Sequence, residues 1–291
     1  MKPPSFEYAA PKSIAEAVTL LQQYDGDAKV LAGGQSLMPL LNMRLARPAI
    51  LVDVARVDGL AHIRDEGGTV AIGAMARQRS AEFSELIRTK HPLLHQAIRH
   101  IAHPQNRNQG TIGGSLAHAD PAAELPATAL ALDAEFRAAG PKGERRIKAA
   151  DFFVTYLTTS LEPTEVLTEV RFPALPPRAG WSFTEVARRH GDFALAGVVS
   201  WLTLDSGGRC ASACVVLFGV GSTPVRARGA EQVLIGQKPA DKLFAEAGLK
   251  AGTEIDEPLT DVHATADYRR DLARVLTRRA LAEAASRAAA A

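Results

Sequence analysis

The chain has 291 residues, enough for two domains or one large domain built of subdomains, and it is 46% hydrophobic and 23% charged, as a globular protein is. A formal net charge of +2, with no long run of one sign, gives no support to nucleic-acid binding, and 5% aromatics offer no stacking platform. No apolar stretch is long enough to span a bilayer and the first residues hold no apolar leader, so the expected location is the cytoplasm.

Ser13-Ile14-Ala15-Glu16 reads as a capping box. Ile14, Ala17, Val18 and Leu21 then form one stripe of a helix that ends near Gly26. Ala28 to Leu31 reads as a strand that runs into a glycine turn, Leu31-Ala32-Gly33-Gly34-Gln35-Ser36-Leu37. Ser36 is placed to cap a short helix through Met43, and Ile50 to Val54 reads as a buried strand. The opening of the chain is therefore expected to be a compact β-α-β unit.

A second unit starts near Leu60. Ala61 to Arg64 and Thr69 to Ala74 flank Asp65-Glu66-Gly67-Gly68 as a hairpin. Helices are expected at about Ser80 to Thr89 and from Pro92 to Ala102. A second glycine turn follows, Gly110-Thr111-Ile112-Gly113-Gly114-Ser115-Leu116-Ala117-His118-Ala119-Asp120-Pro121. Strands are expected at Ala129 to Ala138, Arg145 to Lys148 and Glu165 to Phe172. Pro173 to Gly180 reads as a linker. Beyond it lie expected strands at Trp181 to Arg188, Ala194 to Leu204 and Cys210 to Val220. Expected helices follow at Val225 to Ile235, Asp241 to Leu249 and Ala266 to the alanine-rich end.

The two glycine turns carry the chemistry. Paired glycines let backbone N–H groups approach an anion that a side chain would hold away, so two such turns suit a diphosphate gripped from two sides. A Gly-Gly after a strand is more often a plain turn, and Gly33-Gly34 alone does not rise above that. The second turn is stronger, because Thr111, Gly113 and Gly114 are followed by Ser115, Asp120 and Glu124, which add hydroxyl and carboxylate groups suited to sugar hydroxyls.

Other patterns carry less. Cys210 and Cys214 share a strand face but stand roughly 13 Å apart along it, too far for a disulfide, and two thiols alone make no iron–sulfur site. Gly219-Val220-Gly221-Ser222-Thr223-Pro224 starts like a dinucleotide fingerprint but ends on proline. His91, His95, His100 and His103 lack a carboxylate in a ligand spacing, so no metal site is expected. No nucleophile elbow is present, and no catalytic acid, base or nucleophile is assigned. Arg188-Arg189-His190-Gly191-Asp192-Phe193 reads either as a solvated bend or as a loop that sets Phe193 against a flat ring; the residues alone leave both open.

The two turns, Ala119-Asp120-Pro121 and Arg189-x-Gly191-Asp192-Phe193-Ala194 together resemble the FAD-binding medium subunits of molybdenum hydroxylases, the flavoprotein subunits of aerobic carbon monoxide dehydrogenase and of quinoline, nicotine and xanthine dehydrogenase-type enzymes. Phe6-x-Tyr8-x2-Pro11, Glu165 to Pro173, Gly221-Ser222-Thr223-Pro224 and Asp267-Tyr268-Arg269-Arg270 extend the resemblance over nearly the whole chain. It implies an α+β fold: a two-subdomain FAD-binding fold of the vanillyl-alcohol-oxidase type over residues 1–56 and 57–175, then a C-terminal domain with a three-stranded sheet and helices over residues 178–291. It implies that Ala32 to Ser36, flanked by Leu31 and Leu37, and Gly110, Thr111, Gly113, Gly114 and Ser115 hold the diphosphate and ribityl region. Asp120 and Glu124 match positions near the sugar hydroxyls, Leu167 an apolar position beside the cofactor, and Asp192-Phe193 the loop at the isoalloxazine; Ala102 and Ala117 complete the implied contacts. Phe193 stands where Tyr is common, which removes a hydroxyl, and Glu185 where some relatives have Lys, which removes a positive contact near the flavin.

The implied role is electron transfer. Electrons from substrate hydroxylation at a molybdenum cofactor on a large subunit pass through [2Fe-2S] clusters of a small subunit to FAD on this chain and then to oxygen, NAD or a quinone-type carrier. The assembly implied is a dimer of heterotrimers. Two other readings stand beside it: a free-standing FAD-dependent oxidoreductase of the same superfamily, and a non-catalytic scaffold whose glycine turns are structural.

Overall fold

The computed structural model describes residues 2–291. The N-terminal layer is a three-stranded parallel sheet with two helices: β1 (Glu7–Ala9), α1 (Ile14–Gln23), β2 (Ala28–Leu31), α2 (Leu37–Asn42) and β3 (Ile50–Asp53), in the order β1-β3-β2. Ser13 caps α1 through Oγ, which accepts from Glu16 N at 3.2 Å; the Glu16 carboxylate reaches back to Lys12 N at 2.7 Å rather than to Ser13 N. Ala17, Val18 and Leu21 bury the expected stripe, with Ile14 half-buried at its edge. Ser36 does not cap α2: it already has helical φ and ψ (−103°, −44°), and its side chain makes no capping bond. The three-residue β1 was not expected, being too short to show a period.

The second layer is an antiparallel five-stranded sheet, β4 (Ile63–Asp65), β5 (Thr69–Gly73), β6 (Glu135–Gly140), β7 (Gly143–Lys148) and β10 (Val166–Pro173), in the order β4-β5-β10-β6-β7. Between β5 and β6 the chain makes six helices: α3 (Gln78–Glu82), α4 (Glu85–Lys90), α5 (Pro92–His100), α6 (Pro104–Gln109), α7 (Ile112–His118) and α8 (Glu124–Ala131). After β7 come α9 (Ala149–Phe152) and the small hairpin β8 (Phe153–Thr155) and β9 (Thr158–Thr159).

Two expectations fail here. The single helix at 80–89 is two, broken at Phe83-Ser84, where Ser84 Oγ caps α4 by accepting from Ile87 N at 3.4 Å. The strand expected from Ala129 is helix α8 through Ala131, and strand begins only at Glu135. All eight residues of α8 are buried, so it has no polar face and its sequence shows no helical period.

The C-terminal layer is β11 (Gly180–Ala187), β12 (Ala194–Leu204), β13 (Cys210–Phe218), β14 (Val225–Arg226), α10 (Arg228–Leu234), α11 (Asp241–Thr253) and α12 (Ala266–Ala290). Its antiparallel sheet runs β11-β12-β13-β14, so it has three long strands and a two-residue edge strand rather than three strands, and the helix expected from Val225 begins at Arg228.

Alternation divides this sheet's side chains between two cores. Val198, Leu202, Val215 and Leu217 pack in the core of α10–α12, while Phe183, Val199, Cys214, Val216 and Phe218 join the core shared with α5 and α8. Trp201 Nε1 donates to Ala131 O at 2.8 Å across that joint, and Cys214 Sγ donates to the same carbonyl at 3.6 Å. Among the described residues no helix is long and apolar enough to cross a membrane.

Candidate functional site

The two glycine turns meet. A Cβ on Gly33 would run into the Gln109 carbonyl oxygen and stand 2.8 Å from Gly110 Cα; one on Gly113 would stand 2.6 Å from Ala74 Cα. A Cβ on Gly114 would stand 2.6 Å from Thr111 Oγ1 and 3.5 Å from Ala32 Cβ. Gly34 has φ +71°, a region open to glycine. Gly33 is therefore required by close packing where the turns cross, and Gly113 where the second turn packs on Ala74, a stronger constraint than the approach of an anion argued from sequence.

Backbone bonds pin the second turn to the segment after β5. Gln78 N donates to Gly110 O, Ile112 N to Ala76 O and Gly113 N to Ala74 O, each at 2.9 Å. Thr111 caps α7 through Oγ1, which accepts from Gly114 N at 3.0 Å. Asn106 Nδ2 donates to Gln35 Oε1 at 3.2 Å and ties one turn to the other. Among the described residues, no acceptor meets the amide N–H of Gly33, Gly34, Gln35, Ser36 or Thr111, although Thr111 is buried. Donors left open at a tight crossing form an anion cradle.

The other flank lies at the far end of α6, six residues or roughly 9 Å away. There the α5–α6 turn places Ala102 at φ +41°. Buried Arg107 holds that turn: Nη1 donates to Ile101 O at 2.6 Å, and Nε to Glu82 Oε2 at 2.9 Å. The bend between β11 and β12 docks on it, since a Cβ on Gly191 would stand 2.5 Å from His103 Cε1. Phe193 is 61% exposed on this bend, and Asp192 Oδ2 lies 3.3 Å from Arg188 Nη2.

Below the bend, Glu185 on β11 faces His100 Nδ1 at 3.2 Å through Oε1, while its Oε2 is buried without a partner. Glu124, buried in the first turn of α8, is pushed up to about 8, first by burial and then by the negative charge of Glu185. A carboxyl with that value is mostly protonated at neutral pH. It can donate a hydrogen bond as well as accept one.

The structure thus gathers Ala32–Ser36 with Gly110–Ser115 at one end, and Ala102, Asp192 and Phe193 at the other. Leu31 and Leu37 flank the first turn. Asp120 lies past α7, where Oδ1 accepts from Ala122 N at 2.9 Å; burial lowers the neighbouring His118. Ala117 is exposed on α7. Leu167 packs in the large core beside the β10 bulge. Sequence reasoning missed Arg77, Glu82, Asn106 and Arg107. The polar run Asn106-Arg107-Asn108-Gln109 directly before the glycine turn was the available sign for two of them; Arg77 and Glu82 follow no recognisable spacing.

Residues 4–175 match the family described as the FAD binding domain in molybdopterin dehydrogenase, and residues 181–284 match the CO dehydrogenase flavoprotein C-terminal domain. The chain belongs to the FAD-binding medium subunits of molybdenum hydroxylases. It is 46% identical over 288 residues to the 6-hydroxypseudooxynicotine dehydrogenase complex subunit alpha of Paenarthrobacter nicotinovorans, covering 99% of this chain and 97% of that one. It is 41% identical to the carbon monoxide dehydrogenase medium chain of Hydrogenophaga pseudoflava, over 99% of this chain and all of that one.

Among solved structures, carbon monoxide dehydrogenase from Hydrogenophaga pseudoflava superposes with a TM-score of 0.95 at 41% identity, over 99% of both chains. Quinoline 2-oxidoreductase from Pseudomonas putida 86 gives 0.94 at 38% identity, over 99% of both chains. The medium subunit is therefore an oxidoreductase subunit with the α+β flavoprotein fold, and its cofactor is FAD. The open amides at the crossing of the turns and the partly exposed bend one helix away fit a dinucleotide, whose anionic middle and flat ring lie apart.

Proposed function

We propose that this chain is the electron-transfer subunit of a heteromeric molybdenum hydroxylase, with FAD laid from the crossing of the glycine turns to the bend at Phe193. Bound there, FAD would supply the redox chemistry between the [2Fe-2S] clusters of a small partner subunit and an external acceptor. The protein's part is to bind and orient. The amides of Gly33, Gly34, Gln35, Ser36 and Thr111 hold the diphosphate. Asp120 and the protonated Glu124 serve the sugar hydroxyls. Ala102 and Asp192 line the ring, and Phe193 covers one face of it.

The same reading assigns residues 1–56 and 57–175 as the two FAD-binding subdomains and 178–291 as the C-terminal domain. It gives the chain a large subunit carrying the molybdenum cofactor, in a dimer of heterotrimers. It places the complex in the cytoplasm, a reducing compartment that suits the two unpaired cysteines buried in β13. Burial pushes Cys210 up to about 11 and Cys214 further, so both are held as thiols.

The observation that carries the proposal is the crossing itself, where two turns far apart in sequence leave five backbone donors open. The test is the absorption spectrum of the complex that co-purifies with a tagged chain. Flavin and iron–sulfur bands with one small and one large partner support the proposal. Flavin on a lone chain overturns the heteromeric role.

A further inference from the structure

At the crossing stands a side chain that belongs to neither glycine turn. Arg77 follows β5 and pairs with Thr111 through an isolated antiparallel bridge. Its Nη1 donates to the carbonyl oxygen of Gln109, the same oxygen against which Gly33 packs. One guanidinium thus touches the point where the first turn rests on the second.

Its partners are too few for its charge. Among the described residues the Arg77 side chain makes that one hydrogen bond and no ion pair. Its neighbours differ. Arg79 and Arg107 share Glu82 at 2.9 Å each, and Arg64, Arg137 and Arg171 gather on Glu169. A guanidinium carries five N–H donors and stays charged at any ordinary pH. Arg77 therefore keeps four donors and a full positive charge beside the open amides of Gly33, Gly34, Gln35, Ser36 and Thr111. Backbone amides supply only partial charges, and a diphosphate brings two negative ones; a planar fork held by the Gln109 carbonyl matches two phosphate oxygens in a way a point charge does not.

We propose that Arg77 is the positioning residue that brings fixed positive charge to the cofactor diphosphate. The proposal rests on the reading that the two turns hold the diphosphate. The structure offers no second uncompensated cation bonded to either turn among the described residues.

The test uses the full chain, stripped of bound flavin and titrated with FAD while flavin fluorescence is followed across a salt series. Arg77→Gln is expected to raise the FAD dissociation constant about 10- to 100-fold, the size of a lost charge-assisted bond, and to flatten its salt dependence. Arg77→Lys keeps the charge without the fork and is expected to fall between Arg77→Gln and the wild type. Asn106→Ala breaks a bond between the turns without removing charge, so it is expected to weaken FAD and keep the wild-type salt slope. Unchanged FAD affinity in Arg77→Gln, or an unchanged salt slope, overturns the proposal. A wild-type chain that takes up no flavin overturns the cofactor reading and this inference with it, and that failure shows before any variant is made.

Discussion

The two ends of the site are built by opposite means. At the crossing, backbone packs on backbone: Gly33 on Gln109 and Gly110, Gly113 on Ala74, with no room for a methyl group. At the bend, side chains decide: Phe193 stands out in solvent, Glu185 leans on His100, and Glu124 is buried and protonated. A site made of backbone specifies its ligand by shape and donor position and tolerates almost no substitution at its glycines. A site made of side chains can be retuned one residue at a time. The first suits the part of a cofactor that never changes, and the second the part that does the chemistry.

The sharpest way to break this comparison is to put a side chain at the crossing. Gly33→Val forces the turns apart and is expected to cost about 3 kcal/mol of stability and at least about tenfold in FAD content, measured by urea unfolding and by flavin released on denaturation. A variant with full flavin and unchanged unfolding sinks the claim that the crossing is sterically closed. Gly114→Val is the milder companion, because its Cβ meets the Thr111 hydroxyl that caps α7. The expected cost is about 1–2 kcal/mol with loss of FAD and a fold largely kept. Normal flavin occupancy there would remove this turn from the site.

The bend end is tested by pH. Glu124 titrates near 4.5 in an unfolded chain and at about 8 in the folded one. Between those values the folded state keeps a proton that the unfolded state has released. Stability of the flavin-free chain is therefore expected to fall as pH rises from about 4.5 to about 8, by at most ~1.4 kcal/mol per pH unit from this one group. Glu124→Gln keeps the shape without the titration and is expected to flatten that slope in unfolding curves taken between pH 5 and 8. An identical slope in the variant assigns the effect elsewhere.

Phe193→Ala is expected to change stability by less than about 0.5 kcal/mol, since the ring is mostly exposed, while shifting the visible absorption of bound flavin. A spectrum identical to wild type removes Phe193 from the ring wall. Asn106→Ala removes a single neutral bond between α6 and the first turn and is expected to cost roughly 0.5–1 kcal/mol of FAD affinity by titration.

Much of the fold was legible because its elements carry clear periods. The stripe of α1, the long apolar runs of β12 and β13 and the proline-rich connection after β10 all stand where their patterns put them. Where burial erased the period, reading failed: α8 is buried on every side and was taken for strand. Short elements failed for the same lack of signal, as with β1 and β14. In the site, the glycine turns were visible as motifs, but the reason for their glycines was not, because Gln109 meets Gly33, and Ala74 meets Gly113, only through folding.

The sequence by itself determined the family, most of the long elements and the two turns, since these rest on local pattern and on residues adjacent in the chain. Only the tertiary structure decided that the turns cross at Gln109, that Arg77 stands there without a counter-charge, and that burial, and then Glu185 of the C-terminal sheet, raise Glu124 of α8. Close packing and charge coupling act across space within a few ångströms, and the chain brings those residues together from positions 33, 77, 109, 124 and 185 only when it folds.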